Sequence, residues 1–324
     1  MPVYITHVGS FPLEYGKGVV ERVAGDLAEA GVDWPGFPQL RDFVETYLEP
    51  LMNAGLVVRR KGFFTLSDRE LVESYDLSSE RIVPEAKEFI NAVKRLHLKF
   101  KGMKASVTGP FTLASRIMES GAVHGFTSSV LRDREFVLDW MVSYVRGFVR
   151  GLYGLGYGFI VVDEPILSLM VGRKILYGFS PEDVASAITN VFKGVGDGLS
   201  GIHVCGRVSP LLAEILLNSG IRVLDHEHKD SPENLQLYDA DTLASYNKFL
   251  ALGVVSSKNL KVEQVDEIAS LVKDGLDRYG DRLLFVKPDC GFRGLKLAAD
   301  SGKAYEIAIA KLKNIVKAVR RLNV

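Results

Sequence analysis

Short runs of β-branched and aromatic residues alternate with amphipathic stretches along the whole chain. That alternation restricts the fold more than any other feature. "VYITHVGSF" (3–11), "KASVTGPF" (104–111), "GFIVVDEPIL" (158–167), "SGIHVCG" (200–206), "IRVLDHEH" (221–228), "FLALGVVSS" (249–257) and "RLLFVKPDCG" (282–291) each read as a buried strand. Helical periodicity fills the intervals at 19–31, 41–55, 83–97, 132–156, 180–192, 209–220, 261–280 and 302–322. Ser180-Pro181 and Ser209-Pro210 put a capping hydroxyl before a proline suited to the first helical turn. Gly31, Gly55, Gly220 and Gly280 read as helix stops.

Strands that alternate with helices make a parallel sheet with helical cover. Seven runs are clear, and an eighth is expected near "AGVDWPGF" (30–37). Eight strand–helix units in 324 residues fit a (β/α)8 TIM barrel better than an open sheet. The spacing therefore predicts a single catalytic barrel over residues 1–324, with a possible insertion at 56–82, where the pattern is less regular. "GDGLSG" (196–201) has dinucleotide-type glycine spacing but leads into a strand instead of leaving one, so it is rejected.

The totals exclude several partners. Lys+Arg and Asp+Glu number 40 each, so no basic excess points to nucleic acid. No stretch approaches the ~18 apolar residues of a membrane span, and the opening residues lack a signal-peptide layout. A cytoplasmic location is expected. Two cysteines are too few for a disulfide framework.

In a barrel the C-terminal strand ends form the active face, and the unusual polar residues do gather at run ends. They are His7 and Ser10, Asp163 and Glu164, His203 and Cys205, Asp225 through His228, and Asp289 with Cys290. Residues two apart on a strand share a face, so His203 and Cys205 present two metal donors side by side. Cys290, at another strand end, is the natural third. A zinc site wants four donors. In extended geometry Asp225 and Glu227 share one face while His226 and His228 share the other, and spacing does not choose among them. Each feature also has a plainer reading: buried thiols in a core, polar strand termini at 163–164, solvated histidines at 226 and 228.

The motifs "HVGSFP" (7–12), "VTGPFTL" (107–113), "DEPIL" (163–167), "IHVCG" (202–206), "LDHEHKDSPENL" (224–235) and "VKPDCG" (286–291) occur in an order that resembles the C-terminal catalytic domain of cobalamin-independent methionine synthase. The resemblance covers nearly the whole chain and, without a duplicated N-terminal barrel, is to the short archaeal-type form. It implies a Zn2+-bearing (β/α)8 barrel that methylates homocysteine. It implies zinc ligands at His203, Cys205, Glu227 and Cys290, so it selects Glu227 where spacing could not. It implies amino-acid binding by Val8, Gly9 and Ser10, by Asp163, which would accept from the substrate ammonium, and by Gln39, where the family carries a glutamate.

Departures from the family bear on the methyl donor. The family's "DIHSPN" histidine matches Ser256 of "VVSSKN" (254–259), its folate-stacking tryptophan falls near Arg116, and its folate-binding glutamate falls at Leu169. Three folate-linked positions differ together, so the donor expected is methylcobalamin or a corrinoid protein ahead of methyl-tetrahydrofolate. Three other readings compete. A coenzyme M thiol methyltransferase would not need Asp163 for an ammonium. A metal-free uroporphyrinogen decarboxylase-like lyase would have no use for the three metal donors. A non-catalytic barrel would close its zinc to substrate.

Overall fold

The structure, a computed structural model, describes residues 2–120 and 128–323. Among the described residues ten strands are formed: β1 (Tyr4–Ile5), β2 (Val57–Arg60), β3 (Phe63–Leu66), β4 (Lys104–Thr108), β5 (Ile117–Met118), β6 (Phe159–Asp163), β7 (Leu199–Val204), β8 (Val223–His226), β9 (Phe249–Val255) and β10 (Leu283–Pro288). Seven of them make one curled parallel sheet in the order β1-β10-β9-β8-β7-β6-β4. These are the seven runs expected from the sequence. Helices Val19–Ala30, Glu45–Asn53, Pro84–Arg95, Val142–Gly154, Pro181–Asn190, Pro210–Asn218, Val265–Tyr279 and Ser301–Arg321 fall in the expected intervals.

The eighth run, at 30–37, forms no strand. It makes two isolated parallel bridges, Thr6↔Trp34 and Gly36↔Lys104, which touch both edge strands of the sheet. The Gly36 N–H donates to His7 Nε2 at 2.9 Å, and the Thr6 hydroxyl donates to the Trp34 carbonyl at 2.6 Å. His7 is thus spent on holding this segment. Burial, with Lys104 close by, brings its pKa down to about 3, so the imidazole is a neutral acceptor.

Residues 57–66 form the antiparallel β2–β3 hairpin, and β3 pairs with β5. The run read as strand to residue 111 stops at Thr108, because Pro110 opens a helix over Pro110–Arg116. The long helix expected from 132 begins as a π-helical segment, Phe136–Met141. Both serine caps form: Ser180 accepts from the Asp183 N–H and Ser209 from the Leu212 N–H, each at 3.1 Å. Gly220 is not a left-handed stop. Its helix ends at Asn218 with Ser219 as the cap, and Gly220 is kept small by its neighbour, since a Cβ there would lie 2.6 Å from Thr189 Cγ2. No helix among the described residues is long and apolar enough to cross a membrane.

The two-residue repeat of each strand stacks the sheet's concave side in layers. Phe159, Val161 and Asp163 follow one another on β6, and register sets Val161 beside Gly201 and Asp163 beside His203. The lower layers are apolar: Phe159 stacks on Phe285 with centroids 4.8 Å apart, in a cluster with Val161, Val223, Phe249 and Ala251. Gly201 leaves room for it, because a Cβ would approach Phe159 Cε2 to 2.8 Å. The layer above, at the C-terminal strand ends, is polar. His203 sits beside Asp225, and Asp225 beside Ala251.

Candidate metal centre and substrate cavity

Three of the predicted metal donors meet. His203 Nε2 lies 3.1 Å from Cys205 Sγ, and Cys205 Sγ lies 3.3 Å from Cys290 Sγ. Their donor atoms all fall within 4.8 Å of one another. β7 supplies the first two because one intervening residue returns both side chains to the same face. Cys290 follows the end of β10, three strands further along the chain but across the same concave face.

The other nitrogen of His203 is fixed from behind. His203 Nδ1 lies 2.6 Å from Asp225 Oδ1, and the same oxygen lies 2.7 Å from Lys287 Nζ. All three side chains are buried. Lys287 also donates to the carbonyls of His226 (3.1 Å), Pro288 (3.1 Å) and Asp289 (2.9 Å). Burial would raise the Asp225 carboxyl, but Lys287 and His203 outweigh it and hold it far below the usual range. A carboxylate on Nδ1 directs Nε2 toward the thiols, as the outer partner of a metal-bound histidine does. The two sulfurs are within hydrogen-bond reach of each other, and either can donate. The Cys205 S–H and the His203 ring favour a thiolate at Cys290, pushing that group down, while Cys205 is pushed up. One imidazole and two sulfurs are a donor set suited to zinc and unsuited to magnesium or calcium.

Glu227 is not part of that trio. Its Oε2 accepts from Lys258 Nζ at 2.6 Å, and its carboxylate groups with Asp230 and Asp289. Burial raises its pKa, the Lys258 bond lowers it, and the net displacement is downward. Its charge still reaches Cys205 and His203. His226 lies on the opposite face of β8 from Asp225, and neither it nor His228 joins the trio. The His226 ring stacks on Tyr238 with centroids 6.1 Å apart, and His228 Nδ1 accepts from the Gly253 N–H at 3.2 Å. Asp289 accepts from the N–H groups of His228 (2.9 Å), Lys229 (3.0 Å) and Asp230 (2.6 Å), which fastens the loop after β8 to β10.

The trio opens on a cavity of about 390 Å³, whose lining includes Val8, Ser10, Gln39 and Asp163. The Gln39 N–H donates to the Gly9 carbonyl at 3.0 Å, and Ser10 and Gln39 form a parallel bridge. Gly9 takes φ +146°, and a Cβ there would press on the Gln39 amide at 3.2 Å. Asp163 is buried, and its Oδ1 has no hydrogen-bond partner. Burial is the main cause that raises its pKa to about 7. A buried carboxylate with one oxygen unpaired, on a residue that lines a cavity, is suited to a cationic group of a ligand. Its neighbour Glu164 turns the other way and caps the helix Pro110–Arg116, accepting from the Phe111 N–H (2.9 Å), the Thr112 N–H (2.8 Å) and the Thr112 hydroxyl (2.6 Å).

Sequence reasoning missed Arg41 and Arg293, which also line the cavity. Arg41 is held by Glu85 and Glu49, and Arg293 donates to the Leu40 carbonyl at 2.8 Å. It also passed over Lys287, though a lysine inside the apolar run "LLFVKP" signals a buried charge. Ser256 is buried and donates to Asp230 Oδ2 at 2.7 Å. Arg116 is exposed, and Leu169 is 71% exposed.

Known proteins resemble this chain in sequence and fold. A family model described as "Cobalamin-independent synthase, Catalytic domain" matches residues 80–321. The chain is 29% identical to the methionine synthase of Methanothermobacter marburgensis, over 93% of this chain and 88% of that protein. It is 28% identical to the methionine synthase of Methanocaldococcus jannaschii, over 95% and 90%. In structure it resembles a B12-independent methionine synthase from Shewanella sp. W3-18-1 solved with selenomethionine, with a TM-score of 0.71 at 13% identity, covering 100% of this chain and 98% of that one. With the family model matching residues 80–321, most of the sequence, the chain belongs to the cobalamin-independent synthase catalytic-domain family.

Proposed function

We propose that this chain is a zinc-dependent methyltransferase that moves a methyl group to the thiol of homocysteine and so forms methionine. One observation carries the reading: three soft donors converge within 4.8 Å beside a cavity that also holds an unpartnered buried carboxylate oxygen. The archaeal relatives named methionine synthase support it. His203, Cys205 and Cys290 are the ligands the chain brings together, and Glu227 is our fourth. Bound zinc would hold a substrate thiol as thiolate near neutral pH, where a free thiol, with a pKa of about 8.5, is mostly protonated.

The chain's own residues do the positioning. Asp163 accepts from the substrate ammonium, which replaces the solvation its carboxylate lacks. The turn Val8–Ser10, braced by Gln39, receives the carboxylate end. Held at both ends, the substrate presents its sulfur to the donor at close range, which removes much of the entropic barrier. The sulfur attacks the methyl carbon, and the electron pair of the breaking bond leaves with the donor. A methylcorrinoid donor needs no proton on its leaving group, in keeping with serine at position 256. The exposed Leu169 and Arg116 offer neither the carboxylate nor the aromatic face of a folate site, which also favours a corrinoid. Asp163 argues against a coenzyme M substrate, which carries no ammonium.

We also read the two bridges at 34–36 as the eighth stave of a (β/α)8 barrel, and the chain as one catalytic unit with the β2–β3 hairpin inserted in it. The test is metal analysis of the purified protein, with methyl transfer to homocysteine measured from methylcobalamin and from methyl-tetrahydrofolate. The expected result is about one zinc per chain, lost in Cys290→Ser and His203→Ala, with transfer dependent on it. Equal turnover with the folate would overturn the donor assignment and leave the acceptor in place. A zinc-free active protein would overturn the metal.

A further inference from the structure

One cation reaches the site from its rim. Lys258 lies in the loop after β9, with a side chain 57% exposed, and its Nζ sits 2.6 Å from Glu227 Oε2, whose side chain is 2% exposed. The same Nζ is 4.0 Å from Asp230 Oδ2. The lysine's backbone is fixed: its N–H donates to Ser256 Oγ at 3.1 Å, and that hydroxyl donates to Asp230 at 2.7 Å. Glu227, Asp230 and Asp289 bring carboxylate oxygens within 4.8 Å of one another, and the Lys258 ammonium interacts with all three. This acidic cluster is therefore already supplied with a cation and is no second metal site.

Glu227 consequently has two rivals for its carboxylate. One is Lys258, whose bond is formed. The other is the ion that His203, Cys205 and Cys290 would hold. The backbone of Glu227 is fixed, since Asn234 Nδ2 donates to its carbonyl at 2.7 Å, so the choice is left to the side chain. A buried carboxylate that leaves one cation with no second partner pays its full desolvation penalty. Lys258 removes that penalty.

We propose that Lys258 is a latch that competes with the metal for the Glu227 carboxylate and so keeps the fourth position on the ion available to the substrate sulfur. The proposal rests on the zinc reading above. Lys258 acts through Glu227 and is a positioning residue. It stands in the stretch 254–259 that departs from the family's "DIHSPN", so the departure has a use beyond the lost histidine.

The test compares Lys258→Met, Glu227→Gln and the double variant in the full chain. Zinc dissociation constants are measured against a chromophoric chelator. Homocysteine affinity is read from the thiolate-to-metal charge-transfer band of the cobalt(II)-substituted protein. Lys258→Met is expected to bind zinc roughly tenfold more tightly and homocysteine roughly tenfold more weakly, the scale of one charge-assisted hydrogen bond changing partner. In the Glu227→Gln background the lysine substitution is expected to change neither constant. A zinc constant that does not move in Lys258→Met overturns the latch, as does a lysine effect that persists without the carboxylate; both outcomes leave the three-donor zinc site standing. A wild-type chain that takes up no zinc overturns the zinc reading and the latch together.

Discussion

At the residue scale the most informative atom is Asp163 Oδ1. It is buried without a hydrogen-bond partner in a residue that lines the cavity, and a ligand cation there would offset that cost. Asp163→Asn keeps the shape and removes the charge. Steady-state kinetics should show kcat/KM for homocysteine falling roughly 10- to 100-fold, the range of one charged hydrogen bond, with most of the loss in KM. The pitch of His203 and Cys205 was legible because strand geometry alone sets it. The distant Cys290 was legible because it, too, ends a strand. What Glu227 does was not, because its partner Lys258 lies 31 residues away and no local spacing joins them. Only the resemblance marked Glu227 as a ligand, and its bond to Lys258 adds a competitor that the resemblance does not carry.

At the element scale, local rules worked where the determinants are local. Ser180 and Ser209 cap their helices as hydroxyl–proline pairs should. They failed where a distant group decides. The run 104–111 breaks at Gly109, where Pro110 opens the next helix and Glu164, 53 residues beyond Phe111, captures that helix's free N–H groups. That contact leaves no room at Gly109, where a Cβ would lie 2.2 Å from Glu164 Oε1. Gly109→Ala must displace the cap or the strand end, and urea unfolding should show a loss of about 1–3 kcal/mol. The β2–β3 hairpin was missed for a related reason. "VVRR" and "FFTL" are four residues each, too short for periodicity to separate from a loop.

At the scale of the whole molecule, the count of alternating units gave the sheet and its helical cover, and the layered interior followed from register. One buried lysine makes stability depend on pH. Lys248 donates to the carbonyls of Ser219 and Ile221, where the chain enters β8, and burial, with Arg222 nearby, lowers its pKa from 10.5 to about 8. Between those values the unfolded chain holds the proton more often than the folded one, so stability rises with pH across that window. Relative to Lys248→Met, the melting temperature of the wild type should climb from pH 8 to pH 10, and a flat difference would contradict the lowered value. The segment 34–36 was hard to read because Pro35 and Gly36 interrupt any strand pattern, and its attachment rests on partners at residues 5, 6, 7 and 104. That attachment has a kinetic consequence. A wall element held by scattered bonds, without the regular ladders that flank β6 and β9 on both sides, should exchange its amides with deuterium before those two strands do. The Gly36 amide, hung on a ring nitrogen instead of a carbonyl, becomes a natural reporter of how often the protein breathes along that seam.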